Sequence, residues 1–130
     1  MKEVSVAHDK KNKPGKDLTI TRETPQINDP LTIEGAMIDH DTLILSLSYS
    51  GGCELHHIEL QSTGIIAKSL PPQITLTVVH QANNDQCRNL IRVTEKFNIE
   101  KLSKIYQQKM VVRLSDYTKP LLYQSSKTTR

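Results

Sequence analysis

The chain has 130 residues, enough for one domain with a real core and too few for two. It contains no Trp and a single Phe, Phe97, so Leu, Ile and Val have to supply nearly all of the apolar interior. The net charge is +3, with lysines divided between residues 10–16, Lys101/Lys104 and the Lys127–Arg130 end; no stripe of Arg and aromatics forms, which excludes a nucleic-acid-binding face.

No window reaches the apolar length of a membrane span, so no transmembrane segment is expected, and the first residues lack the hydrophobic stretch of a signal peptide. The chain therefore reads as cytoplasmic, or as a periplasmic or cell-envelope protein whose leader was removed, with a membrane tether in a longer form. Its two cysteines allow one bridge and leave no odd thiol.

In chain order, Pro14, Pro25 and Pro30 interrupt the first thirty residues. Residues 1–17 read as a flexible polar tether, 18–124 as the folded domain and 125–130 as a disordered tail. Leu18-Thr19-Ile20-Thr21 suits an extended piece at a sheet edge, and residues 32–38 suit a strand. From Asp41 to Tyr49, Leu43, Leu45 and Leu47 share one face with Tyr49 while Thr42, Ser46 and Ser48 share the other, the pattern of a half-buried strand. A Ser50-Gly51-Gly52 turn then leads into a strand with His56, Ile58 and Leu60 on one face and His57, Glu59 and Gln61 on the other. After Pro71-Pro72 a third alternation places His80 with Ile74, Leu76 and Val78. The polar turn 81–85 precedes a strand that begins near Cys87 and runs through Ile91, Val93 and Phe97. Ile99, Leu102 and Ile105 stand at helical spacing behind Asn98, a candidate cap for one short helix. Met110, Val112 and Leu114, a polar turn and Leu121-Leu122-Tyr123 make a closing hairpin. About seven short strands at this turn spacing predict an all-β, immunoglobulin-like antiparallel β-sandwich.

The residues that carry chemistry are Cys53, His56, His80 and Cys87, in a Cys-x2-His and His-x6-Cys arrangement. Strand parity points His56 and His80 inward, where each ring nitrogen needs a partner because an unsatisfied buried polar group costs about 1–3 kcal/mol. A Cys53–Cys87 disulfide would close a loop of roughly 34 residues and contribute on the order of 3 kcal/mol. The same four side chains could instead hold zinc or copper tetrahedrally, or the two cysteines could stay as free buried thiols. A fourth arrangement makes Cys53 a thiolate nucleophile with His56 or His80 as base, with Glu54 and Asp85 nearby but no clear orienting residue, so no enzyme activity is expected. His57 falls on the polar face as a surface residue. The Asn83-Asn84-Asp85 stretch has too few carboxylates for a calcium loop and reads as a turn.

At these residues the chain resembles small bacterial envelope domains of lipoprotein type and unassigned function. The shared parts are Gly51-Gly52-Cys53-Glu54-Leu55-His56, Pro71-Pro72, the strand Leu76-Thr77-Val78-Val79-His80, the polar turn from Asn83 to Cys87, Phe97-Asn98-Ile99 with Leu102, and the hairpin from Val112 to Tyr123. The resemblance spans roughly residues 44 to 124, implies an exported β-sandwich and brings no established activity with it; no cofactor is expected unless the cluster holds zinc or copper. The expectation is a non-enzymatic envelope binding or accessory domain, stapled by Cys53–Cys87, with an unknown protein partner. The alternative is a metal-handling protein that uses Cys53, His56, His80 and Cys87.

Overall fold

The alternating leucines of the Asp41–Tyr49 stretch are the centre of the fold. In the computed structural model, which describes residues 15–124, they lie on strand β4 (Thr42–Gly51) with Leu43 and Leu45 at 0% exposure. Ten strands and one short helix surround them: β1 (Lys16–Asp17), β2 (Thr19–Ile20), β3 (Thr32–Asp39), β4, β5 (His57–Ser62), β6 (Ile66–Ala67), β7 (Gln73–Gln81), β8 (Asn89–Asn98), α1 (Leu102–Ile105), β9 (Met110–Leu114) and β10 (Leu121–Tyr123).

The strands form two sheets. One has the order β1-β8-β4-β3, and the other β10-β9-β7-β5-β2, with β6 also paired to β7. Between them lies an aliphatic core that joins Leu43, Leu45 and Leu47 of β4 to Ile58 and Leu60 of β5, Ile74 and Leu76 of β7, and Val112 of β9, with Phe97 and Tyr123 as its large aromatics. The β-sandwich with one helical turn is thus as the residue pattern predicts.

The topology differs from an all-antiparallel arrangement in three places: β1 with β8, β2 with β5, and β7 with β9 pair in parallel. The cause is that the chain repeatedly changes sheet. After β7 it crosses to β8 in the opposite sheet and returns through α1 to β9, so β9 enters beside β7 in the same direction. The extra strands β1, β2 and β6 are two residues each, too short to show any alternation.

The first of these short strands lies within the stretch read as a tether. Lys16–Asp17 pairs with Phe97–Asn98 of one sheet, and Thr19–Ile20 pairs with Gln61–Ser62 of the other. Leu18 between them is fully buried. The Lys16 Nζ reinforces the crossing by donating to the Ile58 carbonyl (2.6 Å) and pairing with Glu95 (3.4 Å). The segment therefore stitches the two sheets along one side. The rest of the tether, residues 1–14, and the tail 125–130 lie outside the described residues.

Asn98 does not cap α1. Its Oδ1 accepts the Glu100 N–H (2.9 Å) as the chain leaves β8, while Lys101 occupies the cap position without a side-chain bond. Cys87 lies two residues before β8 rather than in it.

Leu18 is fully buried in the core, so Leu18→Ala should cost about 2–5 kcal/mol in urea unfolding. Ile20→Ala, at a position 39% exposed, should cost much less. Equal losses would show that the crossing is not a core element.

Candidate functional site

Sequence-distant segments meet at one end of the sandwich. There β4 ends at Gly51 and β5 starts at His57, so residues 52–56 cross from the first sheet to the second. Residues 82–88 cross back from β7 to β8. Cys53 and Cys87 tie these two crossings with a disulfide, Cα atoms 5.8 Å apart, within the span an unforced bridge needs. The expected staple is present.

The turn that delivers Cys87 is built by local chemistry. Asn83 and Asn84 both take left-handed backbone angles (φ +56° and +58°), which Asn accepts more readily than other side chains. Asp85 N–H closes the turn on the Ala82 carbonyl (3.2 Å). This aims the Asp85 side chain inward, where it is 0% exposed.

There the carboxylate collects donors from both crossings. Oδ2 accepts the backbone N–H of Gly52 (3.0 Å), Cys53 (3.1 Å) and Glu54 (3.0 Å), and Oδ1 accepts that of Cys87 (3.0 Å). The His56 ring adds Nε2 at 2.8 Å from Oδ2. Gly51 and Gly52 are required for this approach. A Cβ on Gly51 would lie 2.7 Å from His56 Nε2 and 2.9 Å from Asp85 Oδ2, and Gly52 has φ +120°.

From Asp85 the hydrogen bonds continue through two imidazoles. His56 Nδ1 is 2.8 Å from His80 Nε2, and His80 Nδ1 donates to the Pro30 carbonyl (3.0 Å) and more distantly to that of Asp29 (3.3 Å). Both rings are out of water, His80 at 1% exposure and the His56 side chain at 2%. Tyr49 lies over both, stacked on His56 with ring centroids 4.3 Å apart and tilted on His80 at 4.7 Å.

The partners set the hydrogen positions at the two ends of this line: a carbonyl only accepts, so His80 Nδ1 is a donor to Pro30, and the Asp85 carboxylate only accepts, so His56 Nε2 is a donor to it.

The Asp85 carboxyl is held well below the ordinary carboxylate value of 3.8, foremost by the His56 hydrogen bond and then by the N–H groups of Glu54, Cys87 and Cys53, which together outweigh its burial. The segment 28–30 anchors the far end. Asn28 Oδ1 accepts the His80 N–H (3.0 Å), Asp29 N–H donates to the His80 carbonyl (2.7 Å), and Asp29 Oδ2 accepts the Ala82 N–H (2.7 Å).

The structure brings Cys53, His56, His80 and Cys87 to one end of the fold but in two separate partnerships, sulfur with sulfur and ring with ring. Among the described residues, the potential ligand atoms that gather within 4.8 Å of one another are those of Cys53, Asp85 and Cys87. His57 is exposed, as parity predicts. The sequence analysis missed Asp85 as the hub, together with Tyr49 and the Asp29–Pro30 backbone. The one available signal for Asp85 was its place two residues before Cys87, where a carboxylate naturally meets the N–H two positions on.

No protein-family model and no curated protein matches the chain. Its fold does match solved structures. A protein of Parabacteroides distasonis described as toxin-related aligns at TM-score 0.63 and 22% identity, over 88% of this chain and 63% of its own. A NigD-like immunity protein of Bacteroides caccae aligns at TM-score 0.58 and 14% identity, over 79% of this chain and 53% of its own. A protein of Bacteroides fragilis described as lipoprotein-like aligns at TM-score 0.58 and 9% identity, over 88% of this chain and 71% of its own. The chain thus spans between about half and seven-tenths of these structures, and at such identities the likeness is one of fold. That fold recurs among bacterial proteins described as of lipoprotein and immunity type, consistent with the envelope-type β-sandwich that the resemblance implies, while the motif pattern itself finds no counterpart in these matches.

Two outcomes test the cluster. Cys53→Ser, which opens a loop with a sequence separation of 34, should lower stability by about 3–4 kcal/mol in denaturant unfolding, and reductant should lower the wild type to match it. Because the folded Asp85 binds its proton more weakly than the unfolded one, its contribution is complete above pH 3.8 and is lost as pH falls below that toward the depressed folded value. Asp85→Asn should melt lower at neutral pH, and the gap to wild type should narrow in acid. A constant gap from pH 7 to pH 2 would remove the ionised carboxylate from the account.

Proposed function

We propose that this chain is a non-enzymatic binding or accessory module of the bacterial envelope that engages a protein partner, and that the Cys53–Cys87 bridge and the Asp85–His56–His80 relay are its structural staple. The observation that carries this reading is that every reactive group of the cluster is spent on the fold. The sulfurs are bonded to each other, so neither is a thiolate nucleophile. Both nitrogens of His56 and of His80 are engaged, and the Asp85 carboxylate receives four backbone N–H groups besides. A base in this position has no lone pair to offer a substrate. What the arrangement does instead is lock two sheet-to-sheet crossings and the segment 28–30 into one rigid end.

The bridge supports the envelope placement. Disulfides persist where the surroundings are oxidising, and for a bacterial protein that is the envelope. The lipoprotein and immunity-protein neighbours support the same placement, and an immunity-type neighbour supports a protein as the partner.

The metal-handling alternative keeps one observation, the proximity of Cys53, Asp85 and Cys87. It requires the bridge to be reduced first, since metal ligation needs thiolates. Native mass of the reduced protein with added zinc distinguishes it: a stoichiometric adduct that the Cys87→Ser variant loses would favour this alternative, and its absence would remove it.

Rapid alkylation of native cells, followed by intact mass, tests the placement. An envelope protein should be recovered unalkylated and two hydrogens lighter than its reduced form. Recovery with both cysteines alkylated would overturn the envelope reading.

A further inference from the structure

An edge strand presents unpaired backbone N–H and C=O groups to any extended chain that comes alongside, and folds usually blunt such edges. Most edges of this sandwich are blunted. β10 and β2 are three and two residues long, and β3 carries a bulge between Ile33 and Gly35. Where β2 stops short of the start of β5, the Lys16 ammonium takes the Ile58 carbonyl (2.6 Å). The edge of β8 is different. Its neighbour β1 is two residues long, so it covers β8 at Phe97–Asn98 and leaves the rest of that ten-residue strand open.

The pairing of β8 with β4 shows which groups are open. Asp41 and Ile99 lie opposite each other in the same frame as Thr42 and Asn98, and the Ile99 N–H donates to the Asp41 carbonyl (2.9 Å). Bonded and non-bonded pairs alternate along an antiparallel ladder. Phe97, Glu95, Val93 and Ile91 therefore turn their N–H and C=O groups to β4, while Asn98, Lys96, Thr94, Arg92 and Leu90 turn theirs away. On that side the Asn98 carbonyl is met by the Leu18 N–H (3.1 Å). The N–H and C=O groups of Thr94, Arg92 and Leu90 have no hydrogen-bond partner among the described residues. They form a row of open donors and acceptors on a strand without a bulge.

The side chains beside this row set the kind of chain that suits it. Leu90, Arg92, Thr94 and Lys96 are exposed on the outer face, whereas Ile91 and Val93 are half-buried on the inner face, Val93 against the core. Acidic groups are scarce along the strand. Glu95 is paired with Lys16 (3.4 Å), and Arg92 meets Glu34 (3.4 Å) while 68% of its side chain stays exposed. Lys96, and Arg88 just before the strand, have no acidic partner among the described residues. A strand laid along this edge sets alternate side chains beside Arg92 and Lys96, and the others beside Ile91 and Val93.

We propose that the open edge of β8 docks an extended segment of the partner protein by strand addition, and that this segment alternates acidic residues, set against Arg92 and Lys96, with apolar residues that continue the core beyond Ile91 and Val93. The proposal rests on the protein-binding reading above and adds where and how the partner is held. Main-chain bonds supply the attachment, and the flanking charges supply the selectivity. A second copy of this chain suits the edge less well. Full antiparallel overlap of two such stretches centres on Arg92 and sets it opposite its own counterpart, a like-charge pair.

The test follows backbone amide exchange by NMR in the isotopically labelled, disulfide-intact protein. The probes are a capped hexapeptide in which glutamate alternates with valine, and the same peptide with lysine in place of glutamate. The glutamate peptide should slow exchange saturably at Leu90, Arg92 and Thr94, roughly tenfold at about ten times its dissociation constant, because exchange then runs through the unbound fraction. Ile91 and Val93, already bonded to β4, should not change, and this alternation separates strand addition from a charged peptide resting on the surface. The lysine peptide should bind at least about tenfold more weakly. Arg92→Glu combined with Lys96→Glu alters two exposed side chains and should reverse that order. The proposal is overturned by an absence of slowing at the alternate amides, by equal binding of the two peptides, or by amides at Leu90, Arg92 and Thr94 that are already slow without peptide. In the last case, slowing that rises with protein concentration assigns the edge to a second copy, and slowing that does not assigns it to the chain's own residues 1–14. Each of these results leaves the envelope reading standing, because that reading fails on alkylated cysteines in cells and not on this measurement.

Discussion

Asp85 holds a carboxylate where water cannot reach it, and the end of the sandwich is arranged around keeping it charged. A buried ion is costly unless hydrogen bonds replace its hydration. Here four backbone N–H groups and an imidazole do so, and they come from both chain crossings at once. The same bonds that solvate the carboxylate therefore fix where residues 52–56 pass relative to residues 82–88. The disulfide acts on the identical pair of segments, and Asp85 bonds the N–H of each bridging cysteine, so covalent and polar restraints converge on one place.

That convergence is what supports the structural reading proposed for a site whose residue types look reactive. An Asp–His–His line under a tyrosine has the elements of a general-base system. In an enzyme, however, the last member of such a line faces a substrate. Here His80 faces the carbonyls of Asp29 and Pro30, so the line ends on the protein's own backbone. Its role is to carry order from the disulfide to the segment 28–30.

The architecture has a second restraint at a different place. The N-terminal crossing pairs first with β8 and then with β5, burying Leu18 between the sheets, and Lys101 Nζ donates to the Leu18 carbonyl (2.8 Å). The tyrosine that closes the last strand contributes similarly: the Tyr123 hydroxyl donates to Asp41 at the β3–β4 turn (2.6 Å). Among the described residues no helix is long and apolar enough to cross a membrane.

The long strands and the inward direction of His56 and His80 were legible in the sequence, because side-chain alternation is a local property and the core leucines impose it over eight or more residues. The cysteine pairing was legible as one of four open alternatives, since spacing limits what two sulfurs can do without choosing among bridge, metal, free thiol and thiolate nucleophile. Strands β1, β2 and β6 were not, because two residues cannot show a period and their pairing is set by whichever sheet lies alongside. Nor was the parallel pairing of β7 with β9, which follows from the excursion of β8 into the other sheet. Asp85 as a hub depends on residues 31 to 33 positions away in the chain, and Tyr49, Pro30 and Asp29 reach the same place from still other segments. The local pattern determined which face each side chain takes; only the tertiary structure decided which faces meet, because hydrogen-bond partners far apart in sequence leave no local trace.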